Sequence, residues 1–183
     1  MNLLVLGPQG SGKGMQGARI EADYRIPHVS TGAMFRDAIA ARTELGLRVE
    51  PILAAGELVP DDVTVALIRE RLSAPDAANG FILDGFPRNQ AQADALDAML
   101  LDIGRRLDAV LFFDLPDEIA IERMKSRDGR GDDTPEVIAR RLEIYHEQTA
   151  PVVEHYRATG TLVPLHAERS VDEVYAEVQA ALA

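Results

Sequence analysis

The sequence predicts an α/β fold in which a five-stranded parallel sheet is flanked by helices. Short continuous apolar runs alternate along the chain with longer segments of helical periodicity, a pattern typical of buried parallel strands joined by crossover helices. The first apolar run leads directly into GPQGSGK, residues 7–13. A glycine-rich loop at such a junction is where α/β proteins bind phosphate groups. No linker or repeat divides the 183 residues, so we expect a single domain, residues 1–183.

Turn residues bound each predicted strand, and each predicted helix carries an amphipathic pattern. The strands are expected at residues 3–6, 27–29, 81–84, 109–113 and 161–165. The helices are expected at residues 12–24, 31–42, 45–54, 61–72, 89–105, 116–126, 135–158 and 171–182. Two helix starts have clear capping signals, because Pro135 follows Thr134 and because Ser170 forms a capping box with Glu173.

Two segments depart from the alternation of strands and helices. Residues 30–59 contain two helical patterns and no strand, so we expect an insert that projects from the sheet. Residues 127–133, RDGRGDD, are polar and rich in both charges. This composition suits either an ordinary surface loop or a short lid over a binding site.

The overall charge is −11, which argues against nucleic-acid and membrane-surface partners. The N-terminal residues predict a strand rather than a signal peptide, and no apolar stretch approaches the roughly 20 residues of a membrane span. The chain has no cysteine, which excludes disulfides and thiolate metal sites and favours a cytoplasmic location. The chain has only two lysines, and one of them, Lys13, lies inside the glycine-rich loop.

Residues 7–13 match the GxxxxGK phosphate-binding motif in its required context, between a strand and a helix. The glycines allow main-chain N–H groups to face phosphate oxygens, and Lys13 reaches the outer phosphates. A Ser or Thr that holds Mg²⁺ usually follows this lysine. Here Gly14 and Met15 follow instead, so the loop is expected to bind phosphates without that hydroxyl.

Asp84 and Arg88 belong to the stretch DGFPR, at the carboxyl end of the third predicted strand, where ligands of doubly wound sheets bind. Asp84 in this position suits Mg²⁺ binding through water, although a turn cap is the alternative. Arg88 suits phosphate binding, and a surface salt bridge is its alternative. A further arginine cluster could either surround a transferring phosphoryl group or pair with surface glutamates. It comprises Arg123, Arg127, Arg130, Arg140 and Arg141.

Together these motifs resemble the adenylate kinase family over essentially the whole chain. The matching stretches are GPQGSGKGMQ, Ser30-Thr31-Gly32 with Arg36, DGFPR with Gln92, and Arg123 with Arg127. The resemblance implies a P-loop nucleotide kinase that transfers the γ-phosphoryl group of ATP reversibly to AMP, giving two ADP, and so maintains adenine nucleotide levels. Gly normally follows the loop lysine in this family, as Gly14 does here. Phosphate oxygens and waters fixed by Asp84 are expected to hold the Mg²⁺.

The resemblance also implies three sets of site residues. The expected catalytic residues are Lys13, Asp84, Arg88, Arg127, Arg130 and Arg141. The expected ATP-binding residues are Gly10, Ser11, Gly12, Lys13, Gly14, Met15, Arg123, Arg127 and Arg169. The expected AMP-binding residues are Thr31, Arg36, Glu57, Leu58, Val59, Gly85, Phe86, Pro87, Arg88, Gln92, Arg130 and Arg141.

Two features depart from the family pattern. Met15 replaces the usual Thr, whose hydroxyl helps to bind phosphate. The lid at residues 127–133 is short and the chain has no cysteine, which implies the short-lid form without structural zinc, and we expect a monomer.

Two alternative functions remain open on the sequence alone. The pair Asn89-Gln90 is similar to UMP/CMP kinases, whereas Thr31 and Gln92 are typical of adenylate kinases. A nucleotide-binding protein with impaired catalysis is the second alternative, and among the motif residues only Met15 favours it.

Overall fold

The computed structural model describes residues 1–126 and 134–183. Within these ranges one sheet contains the strands β1 (Asn2–Leu6), β2 (His28–Ser30), β3 (Phe81–Asp84), β4 (Ala109–Asp114) and β5 (Leu162–His166). The strand order is β2-β3-β1-β4-β5, and all neighbouring strands are parallel. The predicted five-stranded parallel α/β fold is therefore confirmed.

The helices surround the sheet and lie close to their predicted positions. Those in the described ranges are α1 (Lys13–Tyr24), α2 (Thr31–Ala40), α3 (Glu44–Ala54), α4 (Asp61–Leu72), α5 (Gln90–Asp102), α6 (Asp117–Lys125), α7 (Pro135–Ile144), α8 (Ala150–Ala158) and α9 (Val171–Ala181). The Ser170 hydroxyl accepts the Glu173 N–H, and the Glu173 carboxylate accepts the Ser170 N–H, which confirms the predicted capping box. None of the helices in the described ranges is long and apolar enough to cross a membrane.

The prediction of one continuous α-helix at residues 135–158 is wrong. A π-helical turn, Tyr145–Thr149, separates α7 from α8. Pro151 lacks the N–H that a continuous α-helix would direct at the carbonyl of residue 147. The Ala150 N–H instead donates to the carbonyl of Tyr145, five residues earlier, which widens the turn.

The central strand β1 is packed on both of its faces. Leu3 and Val5 belong to a hydrophobic cluster covered by α1, α6, α7 and α9. Leu4 and Leu6 belong to a second cluster covered by α4, α5 and α8. This division follows from the alternation of side chains along a strand. Full burial of one leucine stabilises a fold by roughly 1.5–3 kcal/mol. The buried side chains of β1 therefore fix the position from which the glycine-rich loop begins.

Helices α2 and α3 pack around a separate, smaller cluster. Its buried members are Phe35, Val49 and Val59. Gly46 allows the two helices to approach closely, because a Cβ atom at this position would overlap the carbonyl group of Ala38. Helices α2 and α3 therefore have a small core of their own, distinct from the clusters on the two faces of the sheet.

Candidate active site

A cavity of about 450 Å³ opens at the carboxyl edge of the sheet, next to the glycine-rich loop. Its size is typical of ligand-binding pockets, which span roughly 300–1,000 Å³. Among the described residues, its wall contains five cationic side chains and one carboxylate. These are Lys13, Arg36, Arg88, Arg123, Arg141 and Asp84. A chain of net charge −11 thus concentrates positive charge in this cavity, as binding of a polyphosphate requires.

The loop between β1 and α1 lines this cavity, chiefly with glycines. Gly10 and Gly12 have left-handed conformations, with φ of 86° and 85°, which side chains with a Cβ rarely adopt. A Cβ at Gly10 would also approach the carbonyl oxygen of Ala120 to 2.9 Å. Gly12 is the N-cap of α1 and has no capping side chain. The first N–H groups of α1 are therefore suited to bind an anion.

Lys13 lies across the loop. Its ammonium group donates hydrogen bonds to the carbonyls of Gly7 and Pro8, both over 2.7 Å, and to the Ser11 hydroxyl over 3.1 Å. Ser11 is only 3% exposed and does not line the cavity. Its hydroxyl therefore contacts Lys13 within the loop.

Asp84 ends β3 beneath the loop, and its carboxylate Oδ2 lies 3.4 Å from Nε2 of His28. Burial raises the pKa of Asp84, but the neighbouring His28 and the charges of Lys13 and Arg88 outweigh burial, so the net pKa is lowered. The Asp84 side chain is 13% exposed and so remains accessible to water. An ionised carboxylate that faces a phosphate cavity suits a hydrated Mg²⁺, which proteins typically bind through one or two carboxylates together with substrate phosphates.

Arg88 is held by contacts from three directions. Its main-chain N–H donates to the Gln92 side-chain carbonyl, and its own carbonyl accepts from the Thr149 hydroxyl, both over 2.8 Å. Its Nε donates to the carbonyl of Gly85 over 2.8 Å. Burial lowers the pKa of Arg88, and repulsion from Arg141 and Arg36 lowers it further, while Asp84 opposes this shift. A phosphate group that entered between these arginines would relieve their repulsion.

A smaller cavity of about 40 Å³ adjoins the first one and faces α2. It brings together most of the residues predicted to bind AMP. Those that line it are Thr31, Glu57, Leu58, Val59, Gly85, Arg88 and Gln92. The Gln92 amide is 2% exposed, and its nitrogen donates to Asp61 over 2.7 Å. Asp61 and Arg88 therefore fix the orientation of this amide.

Glu57, which lines the smaller cavity, also forms an ion pair that the sequence did not predict. Its carboxylate pairs with the guanidinium of Arg140 on α7, with Nε–Oε1 and Nη2–Oε2 distances of 2.6 and 3.1 Å. The Arg141 side chain also donates to the carbonyl of Leu53 over 3.5 Å. The segment that follows α3 is therefore joined to the helix that brings Arg141 to the main cavity.

Comparison with known proteins agrees with this geometry. A family model described as adenylate kinase matches residues 5–161. This chain belongs to the adenylate kinase family. It is 48% identical over 185 residues to the adenylate kinase of Stenotrophomonas maltophilia K279a, covering 100% of this chain and 99% of that relative. It is 47% identical over 188 residues to that of Parvibaculum lavamentivorans DS-1, covering 100% and 92%. The adenylate kinase of Xanthomonas campestris pv. campestris 8004 is 45% identical over 185 residues, covering 100% and 99%.

Several predicted site residues of this adenylate kinase family member do not line either cavity. Phe86 is fully buried within the cluster covered by α4, α5 and α8, where it supports the DGFPR stretch. Arg169, whose main chain is expected to lie against the ATP adenine, directs its side chain to Glu177 on α9. Arg123, by contrast, does line the main cavity. Its guanidinium also joins the glycine-rich loop to the chain after β5, since it donates to the carbonyls of Gly10, Ala167 and Glu168. Arg127, Arg130 and the predicted lid at residues 127–133 lie outside the described residues.

The structure also adds residues that the sequence analysis missed. The main cavity is also lined by Gln9, Ser30, Gly32, Ile144, Tyr145 and Thr149. His28 contacts Asp84 of the main cavity, and Asp61 contacts Gln92 of the smaller cavity. Burial, together with the nearby Asp114 and Asp117, raises the pKa of Tyr145 to about 12, so its phenol is a neutral donor at physiological pH. A proline inside the predicted helix, at position 151, was the sequence signal that could have located the π turn and its two cavity residues.

Proposed function

We propose that this chain catalyses the reversible, Mg²⁺-dependent transfer of the ATP γ-phosphoryl group to AMP, giving two ADP. Membership of the adenylate kinase family and the names of the relatives support this phosphotransferase activity. The observation that carries the proposal is the pair of adjoining cavities, which share Gly32, Leu58, Gly85 and Arg88. Two nucleotides bound in these cavities would meet at the Arg88 guanidinium.

In the proposed mechanism, the glycine-rich loop and the first turn of α1 bind the ATP phosphates. A phosphate oxygen of AMP attacks the γ-phosphorus, the bond to the β,γ-bridging oxygen breaks, and the electron pair remains on the β-phosphate of the departing ADP. Lys13, Arg88 and Arg141 stabilise the charge on the transferring oxygens. Asp84 is proposed to hold Mg²⁺ through water, and the ion would neutralise charge on the ATP phosphates.

The remaining proposed binding residues follow from the two cavities. We assign ATP to the main cavity, with Gly10, Gly12, Gly14, Met15 and Arg123 in its wall. We assign AMP to the smaller cavity and to the adjoining Arg36 and Pro87. We also propose that Arg127 contacts ATP and that Arg130 contacts AMP, as the family resemblance implies.

We also propose that residues 30–59 act as an AMP-binding insert and residues 127–133 as a short lid within the single domain. Enclosure of both nucleotides would prevent transfer of the phosphoryl group to water. The separate cluster of Phe35, Val49 and Val59 supports the insert as a unit. An analogue that joins two adenosines through five phosphates is expected to protect both segments from hydrogen exchange, and unchanged exchange in both would contradict closure.

Further elements of the proposal concern partners and location. We propose a cytoplasmic monomer whose partners are ATP, AMP and ADP, and which binds neither nucleic acid nor membranes. The charge of −11 supports this choice of partners, and the lack of cysteine supports a fold without structural zinc.

The decisive experiment is a coupled assay that compares AMP, CMP and UMP as acceptors of the phosphoryl group from ATP. We expect AMP to have by far the highest kcat/KM, because Thr31 and the fixed Gln92 amide line the acceptor cavity. A kcat/KM for CMP or UMP equal to that for AMP would favour the pyrimidine-nucleotide alternative. No turnover with any acceptor, despite ATP binding, would favour the catalytically impaired alternative.

A further inference from the structure

Met15, next to the glycine-rich loop, is the most exposed methionine of the chain. It lies in the first turn of α1, lines the main cavity and is 57% exposed. The other methionines are less accessible: Met99 and Met124 are 3% and 1% exposed, and Met1 and Met34 are half-buried. The most exposed sulfur-containing residue of the chain therefore lies where the ATP phosphates are proposed to bind.

The chain contains no cysteine. Thiolates are the usual first targets of peroxides in proteins, and their absence leaves thioethers as the sulfur targets. Oxidation of methionine follows exposure of the sulfur. Because the chain lacks cysteine and the other methionines are less exposed, we expect a peroxide to oxidise Met15 first.

We propose that Met15 is a site of reversible oxidation that lowers the affinity for ATP, an inference that rests on the proposed function. The oxidant is hydrogen peroxide or an alkyl hydroperoxide. The sulfur lone pair forms a bond to one peroxide oxygen while the O–O bond breaks, and the proton of that oxygen leaves with the departing hydroxide as water, or with the alkoxide as an alcohol. The thioether is oxidised to a sulfoxide by two electrons, and a thiol-dependent methionine sulfoxide reductase reverses the step.

The direction of the effect follows from the chemistry of the sulfoxide. Its oxygen is a strong hydrogen-bond acceptor with partial negative charge, whereas the thioether is a weak acceptor. Phosphate oxygens are also acceptors, so the two would compete for the N–H groups of the loop and the first turn of α1. Met15 does not line the smaller cavity, and AMP binding there is therefore spared.

The first test follows oxidation itself in the full-length protein. Limited treatment with hydrogen peroxide and peptide mass spectrometry are expected to show sulfoxide at Met15 forming roughly tenfold faster than at Met99 or Met124. Saturating ATP is expected to slow the reaction at Met15 and leave that at Met34 unchanged. Oxidation of Met34 ahead of Met15 would overturn the inference.

The second test measures binding by calorimetry, which does not depend on turnover. Oxidation is expected to raise the Kd for ATP by about fivefold or more, leave the Kd for AMP unchanged, and be reversed by the reductase with a dithiol. Met15→Leu is expected to abolish the response, each protein being compared with its own untreated sample, and Met34→Leu to retain it. Sulfoxide at Met15 without a change in the ATP Kd, or an equal response in Met15→Leu, would overturn the inference. Turnover of the untreated protein with ATP and AMP tests the proposed function separately.

Discussion

The hydroxyl of Thr149 donates a hydrogen bond to the main-chain carbonyl of Arg88 over 2.8 Å. Thr149 belongs to the π-helical turn before α8, and Gln92 holds the N–H of the same arginine from α5. Two distant segments thus fix one stretch of backbone. These hydrogen bonds hold the backbone of Arg88 in place although its guanidinium is repelled by Arg36 and Arg141.

Thr149→Val is therefore expected to reduce kcat/KM for AMP by roughly fivefold to a hundredfold, because a partly buried carbonyl loses its donor at a cost of ~1–3 kcal/mol. Thr149→Ser, which keeps the hydroxyl, is expected to restore most of the activity. Thr159→Val is the matched control, since the Thr159 hydroxyl donates to the Tyr156 carbonyl over 2.8 Å away from the cavities. Steady-state kinetics of the three variants decide the matter, and equal losses in Thr149→Val and Thr159→Val would contradict a role in positioning Arg88.

Lys13→Met is expected to lower kcat by about a hundredfold to a thousandfold, since it removes a cation that stabilises the transferring phosphoryl group. The chain offers a matched control in its only other lysine, Lys125, which is exposed at the end of α6. Lys125→Met is expected to have near-unchanged kcat. Circular dichroism should confirm that both variants are folded, and a folded Lys13→Met with normal turnover would remove Lys13 from the mechanism.

The Glu57–Arg140 pair is expected to hold the insert against α7. The hydrogen bond to Arg140 lowers the pKa of Glu57 from its ordinary value of 4.5. The carboxylate is therefore ionised at neutral pH, and the stabilisation from the pair is lost only as pH falls through the lowered pKa. Glu57→Gln is expected to speed hydrogen exchange in residues 53–59 at neutral pH and to raise the KM for AMP by less than about fivefold, because exposed pairs contribute little.

Glu143 provides the control for this pair, because it also binds Arg140, over 2.6 Å, but lies within α7 itself. Glu143→Gln is expected to leave exchange in residues 53–59 unchanged. High salt is expected to reproduce the effect of Glu57→Gln on the wild-type protein, since salt screens exposed charges. Identical exchange in the wild type and Glu57→Gln would show that the pair does not hold the insert.

Arg25 caps the C-terminus of α1 in a left-handed conformation, with φ of 55°. This conformation costs a residue with a Cβ roughly 1–2 kcal/mol, more than the additional entropy glycine loses on folding. Arg25→Gly is therefore expected to raise the free energy of unfolding by about 0.5–1 kcal/mol in urea titrations. Arg48→Gly, an exposed position inside α3, is expected to lower it by about 1 kcal/mol, and a stabilising Arg48→Gly would undermine the conformational explanation.

Local sequence signals were sufficient to predict the sheet and the phosphate-binding loop, because an apolar strand followed by glycines has few alternative structures. The contact between His28 and Asp84 was not predictable in this way, since it depends on the register in which Ser30 pairs with Asp84. The neighbouring Arg140 and Arg141 have equal local sequence signals, and only the family resemblance assigned a site role to Arg141. In the structure Arg140 pairs with Glu57 and Arg141 lines the cavity, because the two side chains leave α7 in different directions.

The separate cluster of Phe35, Val49 and Val59 has an evolutionary consequence. None of these residues belongs to either cluster that packs against β1. Phe35 and Val59 line the smaller cavity, so mutations within this cluster would reshape the wall of the proposed acceptor site while the packing of β1 stays intact. Under the proposed function, acceptor preference would thus be a modular trait, open to divergence by repacking one small helical unit.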